Sequence, residues 1–341
     1  MKLKTLEKQF KDKESLAIFT HNNPDPDCLS SAYTLSLIAR NFGVKPKIIY
    51  SGDIGRSENR EMVKLLGLRI FHIDELEHDE INNFSIYAIV DSQKGFGNNL
   101  FPEDIVPDIT FDHHETNIRT KKGKQVFTEI SPTSGATSTI VLRYYLKLGL
   151  EITPTLATAY CYAVMSETKD MDRGATSKDI WYFNKLYKYA NQKILSKIRY
   201  AKKPINYINT LKTALNKYKI ENGIATCVIG KVHSTDYIAE IADLLLGVEE
   251  VFFSIVIGEY KLNNNGDEKD PEYFASVRTS LDDVNMGKLL GGVIRGKGKA
   301  GGHDQVAAGQ FSNAPAEIID GFTKATKKYL PLPGETSASS N

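Results

Sequence analysis

The chain has 341 residues, more than a single hydrophobic core usually serves, and its 41% apolar and 25% charged content is that of a globular chain able to bury real cores. Forty-three Lys and Arg nearly balance 42 Asp and Glu, which excludes a whole-molecule positive field for coating long nucleic acid or an anionic membrane, so any contact with a polyanion must be local. Cys28, Cys161 and Cys227 are odd in number, far apart and without C-x-x-C spacing, and neither a signal core nor an 18-residue apolar run occurs, so the expectation is a soluble cytoplasmic protein with reduced thiols and no structural zinc site.

In chain order, short β-branched runs recur at 15–20, 45–50, 85–91 and 108–112, with helix-period segments at 29–42 and 57–66 between the first of them. That alternation predicts an α/β fold, a mostly parallel sheet with flanking helices. From Thr133 to about Ser196 the pattern turns helical, and "TSKDIWYFNKLYKYANQKIL" reads as one long helix opened by a Ser/Thr cap. "KIRYAKKPIN" contains the proline that ends this unit. A second, smaller α/β pattern follows, with strands at 223–232, 251–260 and 273–280, a capped helix in "STDYIAEIADLLLG", a hairpin loop over 261–272 and a loose tail at 331–341. The resulting division is a domain over 1–197, a linker over 198–206, a second domain over 207–330 and the tail.

The chemistry concentrates at strand ends. "THNNPDPDCLSSA" places His21, Asp25 and Asp27 after the first strand and before a helix expected to start near Ser30. Pro24 and Pro26 stiffen the turn around Asp25, which suits metal ligation; a charged turn capping the helix through Asp27 or Ser30 is the plainer alternative. "IYAIVDS" then delivers Asp91, and "DITFDHHE" delivers Asp112, His113 and His114, to the carboxyl ends of further strands, where open parallel sheets bind ligands. Three of the seven histidines fall in this one crevice. Converging carboxylates and imidazoles need a compensating cation, and a thiolate-free O/N donor set favours Mn2+, then Mg2+, ahead of Zn2+ or Fe2+. The number of donors exceeds the needs of one ion, which suggests two, roughly 3.5–4 Å apart and bridged by Asp91. Further on, "GGVIRGKGKAGGHDQ" combines six glycines with Arg295, Lys297, Lys299 and His303, a composition that lets backbone N–H groups and cations approach an anion closely.

"HNNPDPDCLSSA", "AIVDS" and "DHHETN", in this order, resemble the first three motifs of the DHH phosphoesterase family, and "KAGGHDQVAAGQF" resembles the glycine-rich motif of the DHH-associated C-terminal domain. The resemblance covers about Leu16 to Leu330. It implies that His21 and Asp25 hold one metal, Asp27 and His113 the other, and Asp91 both, in an active site within the cleft between the two domains. Where the family's fourth motif supplies an aspartate, this chain has "MSETKDMDRGATS": Glu167 keeps the register, Asp170 is the substitute, and loss of that ligand is the third alternative. His114 and Asp112 are expected to orient ligands or touch phosphate, and Arg278, Arg295, Lys299, Gly301, Gly302 and His303 to hold the rest of the substrate.

Among two-domain members of this length the resemblance is to nanoRNase and pAp-phosphatase types. It therefore implies a Mn2+-dependent phosphoesterase acting on short oligoribonucleotides or on 3′-phosphoadenosine 5′-phosphate, with no membrane or long nucleic acid as partner and with a homodimer permitted. Cyclic di-AMP or its linear product is the alternative substrate, and a nucleotide-binding regulator weakened in turnover, with Glu167 as its trace, is the alternative function.

Overall fold

The computed structural model describes residues 2–115, 126–260, 272–302 and 304–330. They form two compact units that divide between Lys202 and Lys203, inside the stretch read as a linker. The expected hairpin loop at 261–272, except Glu272, and the tail at 331–341 lie outside the described residues.

The first unit runs α1 (Lys2–Phe10), β1 (Ser15–Asn22), α2 (Pro26–Asn41), β2 (Lys45–Ser51), α3 (Ser57–Leu66), β3 (Ile70–His72), α4 (His78–Asn82), β4 (Ile86–Val90), β5 (Ile109–Asp112), β6 (Phe127–Ile130), α5 (Thr137–Lys147), α6 (Pro154–Glu167), α7 (Ser177–Tyr187) and α8 (Gln192–Arg199). Its six strands are in the order β3-β2-β1-β4-β5-β6, and each neighbouring pair is parallel. Strand residues alternate between faces. Leu16 and Ile18 of β1, with Ala88 and Val90 of β4, join a large core built with α1, α2, α5 and α6. Ala17, Phe19, Tyr87 and Ile89 point the other way, into a smaller core with Phe101, Phe84, Ile105 and Ile81 of α4. Burial on both faces explains why β4 reads as an unbroken apolar run.

Two helix expectations are corrected. α2 starts at Pro26, not near Ser30: Asp25 is the N-cap, its Oδ1 accepting the Cys28 N–H at 2.9 Å, and proline is at home in the first turn because its missing N–H would have no partner there. The single long helix expected after Thr176 is two, because Asn191 caps a new helix, accepting the Ile194 N–H at 3.1 Å.

The second unit runs α9 (Ile205–Lys217), β7 (Lys219–Glu221), β8 (Ile224–Lys231), α10 (Thr235–Leu246), β9 (Phe253–Glu259), β10 (Tyr273–Thr279), α11 (Met286–Ile294), β11 (Gly298–Gly302), β12 (Val306–Phe311) and α12 (Pro315–Thr326). Its sheet, in the order β11-β12-β10-β9-β8-β7, is antiparallel except for β8 beside β9. One core lies with α11 and α12, a second with α9 and α10. The glycine-rich stretch is therefore not a loop but a helix end followed by an edge strand. A Cβ on Gly298 would stand 1.9 Å from the Gln310 carbonyl oxygen, and one on Gly302 2.3 Å from that of Val306, so these glycines let β11 lie against β12.

Candidate metal centre

From β1 the chain moves outward to β2 and β3, and from β4 it moves outward the other way to β5 and β6. The reversal between β1 and β4 opens a crevice at the carboxyl ends of the strands. β1 carries His21 to that edge, β4 is followed by Asp91, and β5 ends in Asp112 with His113 and His114 after it.

Asp91 is the centre of the arrangement. Its φ of 56° lies in the left-handed region that few residues with a side chain adopt, and its N–H bonds to the Phe111 carbonyl at 2.9 Å, closing the turn that aims the carboxylate into the crevice. Nε2 of His21 stands 3.6 Å from Asp91 Oδ2, and Nε2 of His113 stands 3.7 Å from Oδ1. The two oxygens of one carboxylate thus address two imidazoles. His21 Nε2 is also 3.8 Å from Asp25 Oδ1, and His113 Nε2 is 3.9 Å from Glu167 Oε1. Each of these rings places Nδ1 on a backbone carbonyl, that of Asn22 at 2.8 Å and that of Ser134 at 3.2 Å. A carbonyl can only accept, so Nδ1 carries the hydrogen and Nε2 is the atom left to serve as ligand.

Separations of 3.6–3.9 Å are too long for hydrogen bonds and suit donors around one cation, since ligands each about 2.0–2.2 Å from an ion stand roughly 3–4 Å apart. Two donor groups, one of His21, Cys28 and Asp91 and one of Asp91, His113 and His114, share Asp91. The residues fit a pair of divalent ions.

Asp27 is held from behind. The N–H groups of Thr137 and Ser138, in the first turn of α5, donate to its two oxygens at 2.7 and 2.9 Å, and the Thr137 hydroxyl donates to Asp91 Oδ1 at 2.7 Å. A helix N-terminus stabilises a carboxylate, and each oxygen keeps a further lone pair for a ligand. Asp112 is fully buried: Oδ1 accepts the His113 N–H at 2.9 Å and His114 Nδ1 at 2.8 Å, and Oδ2 accepts Gln93 Nε2 at 2.7 Å. It fixes both histidines of the third motif at once.

Protonation follows from crowding. Burial, reinforced by the charge of Asp91, pushes Asp27 up to about 7. Glu167 rises well above its ordinary value through burial and the charges of Asp25, Asp27 and Asp91. Burial alone would raise Asp91 too, but the imidazoles of His21, His113 and His114 hold it below the carboxylate range. Burial opposes protonation of the three histidines, yet all end above their ordinary value: Asp25 and Asp91 raise His21, Asp91 and Asp27 raise His113, and Asp112 and Asp91 raise His114. Cys28 itself is pushed up to about 12 by burial and donates to the Val90 carbonyl at 3.5 Å, so it lines the site as a thiol.

Residues 15–164 match the model of the DHH family, N-terminal domain. The first unit carries a DHH-family domain. An uncharacterized protein from Methanocaldococcus jannaschii is 30% identical over 312 residues, covering 91% of this chain and 60% of that protein, so the chain spans less than two thirds of this relative's length. Two solved structures share the fold. An exopolyphosphatase-related protein from Bacteroides fragilis superposes with a TM-score of 0.76 at 16% identity, covering 97% of this chain and 96% of that one. RecJ from Thermus thermophilus in complex with Mn2+ superposes with a TM-score of 0.54 at 12% identity, covering 96% and 54%.

The DHH domain brings His21, Asp25, Asp27, Asp91, Asp112, His113, His114 and Glu167 together. Of the fourth-motif alternatives, Asp170 turns away: both its oxygens bond Arg199 at 3.1 Å on the surface. Gln93, Thr137, the Ser134 carbonyl and Cys28 were not anticipated as site residues. For Thr137 a signal existed in "TSGATS", where small residues precede a helix whose free N–H groups can take a carboxylate.

In the second unit Gly301 and Gly302 lie on the exposed edge strand β11, with Lys299 beside them and Arg295 at the end of α11. His303 lies outside the described residues. Arg278, expected to hold substrate, is 6% exposed, and its guanidinium donates to Asp243 Oδ1 at 2.7 Å, to Ser276 Oγ at 2.8 Å and to the Val277 carbonyl at 2.9 Å. A buried guanidinium needs such partners, and here β10 and α10 supply them. Among the described residues no helix is long and apolar enough to cross a membrane.

Proposed function

We propose that this chain is a phosphoesterase that uses two divalent ions, Mn2+ foremost, to hydrolyse short oligoribonucleotides or 3′-phosphoadenosine 5′-phosphate. The observation that supports it above all is the placement of the His21 and His113 Nε2 atoms on opposite oxygens of Asp91, at 3.6 and 3.7 Å, with Asp25 and Glu167 beyond them. His21, Asp25 and Asp91 would hold one ion; Asp27, Asp91, His113 and Glu167 the other. Bound there, the ions supply an acidified water and neutralise phosphoryl charge.

The chain's own residues do the rest. The backbone carbonyls behind His21 and His113 lock the ligand tautomers, and the start of α5 keeps Asp27 from swinging out. His114, with Nδ1 on Asp112, offers its other ring nitrogen to a phosphoryl or leaving oxygen, and against the cost of burial the Asp112 and Asp91 carboxylates favour its protonated form. In the second unit, the exposed backbone of β11 with Lys299 offers N–H groups and a cation to an anionic group.

The test is purified protein with Mn2+ against end-labelled dinucleotides, longer RNA, 3′-phosphoadenosine 5′-phosphate and cyclic di-AMP in parallel. Products from dinucleotides or 3′-phosphoadenosine 5′-phosphate, abolished in Asp91→Asn, are expected. Full activity in that variant overturns the metal assignment, preference for cyclic di-AMP replaces the substrate, and tight nucleotide binding without any product turns the reading to a regulator.

A further inference from the structure

Away from the metal centre, the DHH domain carries a surface where cations and aromatic rings interleave. Where α5 and α7 meet, an open groove of about 640 Å3 is lined by Arg143, Lys147, Ser177, Lys178, Trp181 and Tyr182. Arg143 and Lys147 are four residues apart on α5, and Lys178, Trp181, Tyr182 and Lys185 recur at helical spacing on α7, so each set occupies one face. Trp181, the chain's sole tryptophan, is 56% exposed, and Lys185 Nζ stands 5.0 Å from its ring centre. Lys147 lies 5.7 Å from the centre of the Tyr144 ring.

The charge is local and one-sided. Residues 177–202 hold seven Lys or Arg against one acid, Asp179, in a chain whose net charge is +1. Asp179 is buried and tied to the Thr176 and Gly135 N–H groups at 2.8 and 3.0 Å, so it does not offset the cations outside. Arg143 is partly compensated by Glu129 at 3.3 Å and Arg199 by Asp170, which leaves Lys147 and Lys178 as the main positive charge of the groove, with Lys185 beside Trp181. A half-exposed indole between lysines is ill suited to a lipid surface, which needs a contiguous apolar face, and an acidic peptide would leave the ring unused. A single nucleic-acid strand uses both, phosphates on cations and bases on rings.

The groove is built on the segments that hold the metal ligands. α5 begins at Thr137, which bonds Asp27 and Asp91; Arg143 and Lys147 lie about 9 and 15 Å further along its axis at 1.5 Å per residue. The first turn of α7 is pinned by Asp179 to Gly135, next to Ser134, whose carbonyl fixes His113. We infer that this groove binds the nucleotides of a single-stranded RNA beyond the phosphodiester at the metal centre, a base stacking on Trp181 and phosphates meeting Lys147 and Lys178. The inference rests on the oligoribonucleotide reading above and extends it from dinucleotides to strands several nucleotides long.

Trp181 is its own probe. The full chain in EDTA, where RNA is not cleaved, is titrated with oligoadenylates of two, six and twelve nucleotides while tryptophan emission and the anisotropy of the labelled RNA are read. The hexamer and dodecamer should quench Trp181 and the dinucleotide should not. Lys147→Glu with Lys178→Glu, and separately Trp181→Ala, should weaken hexamer binding by about ten-fold or more, the charge pair also flattening its salt dependence, while dinucleotide cleavage with Mn2+ stays within about two-fold. Unmoved emission, unchanged hexamer affinity in both variants, equal binding of single-stranded DNA of the same sequence, or preference for phosphatidylglycerol vesicles would each overturn the inference. Hexamer binding at this groove without cleavage of any RNA would sink the hydrolase reading alone; cleavage of dinucleotides without hexamer binding would sink the groove alone.

Discussion

Asp112 shows how one buried side chain sets the geometry of others. It contacts both histidines of the third motif and is itself anchored by Gln93, so Gln93→Leu should lower metal affinity or activity by about 10–100-fold while His113 and His114 remain in place. Calorimetric titration with Mn2+ checks this, and an unchanged affinity and rate would remove Asp112 orientation from the account. The same cluster fixes a pH dependence. Asp27 is raised from 3.8 to about 7, Glu167 and the three histidines are also raised, and Asp91 is lowered. A group with a raised folded-state pKa stabilises the fold below its unfolded value and loses that contribution as pH climbs through the folded one. Asp91 contributes in the opposite sense, and its contribution is complete above the ordinary carboxylate range. Chelated protein should therefore lose stability as pH rises from about 4 toward 8, and because the cation must displace the same protons, the stabilisation by Mn2+ should grow across that window. A melting-temperature increment with Mn2+ that is flat between pH 5.5 and 8 would contradict the clustered arrangement.

At the scale of elements, what the sequence reveals depends on whether the signal is local. His21, Asp91 and Asp112 were legible because each follows an apolar run, and a strand end in a parallel sheet is a place with known chemistry. The tie between α5 and Asp27 was not, since it joins residues 110 apart and rests on backbone N–H groups that leave no mark in residue type. β11 escaped for a related reason: glycine disfavours strands intrinsically, and "GKAGG" is a strand because β12 pairs with it and close backbone approach excludes a Cβ. The composition of the proline turn shows its stiffness but not that Pro26 starts α2, because the cap that Asp25 provides is a matter of backbone geometry. Asp179 carries an element-scale prediction. Its Oδ2 accepts the Thr176 and Gly135 N–H groups, joining the start of α7 to the loop before α5, so Asp179→Ala should cost about 2–3 kcal/mol in urea unfolding. Because Gly135 adjoins Ser134, the carbonyl partner of His113, the same variant should also weaken Mn2+ binding; a stability loss with unaltered metal affinity would show that the loop holds its shape without α7.

For the whole molecule, the division into two units with separate cores has a thermodynamic consequence. The proposed metal ligands all lie in the first unit, between His21 and Glu167, and the cores around α9 to α12 contribute none of them. A ligand that binds only the folded form of one unit stabilises that unit by mass action, about 2.7 kcal/mol at one hundred times its dissociation constant. For a unit of 202 residues, each kcal/mol moves the melting temperature by roughly 2–4 °C, so saturating Mn2+ should raise one calorimetric transition by about 5–10 °C. The other transition should stay where it was. Asp91→Asn should abolish the shift without moving the metal-insensitive transition, which separates loss of the site from general destabilisation. If both transitions moved together in the wild-type chain, the units would be melting as one cooperative body, and the metal centre would be stabilising the second sheet as well as the first.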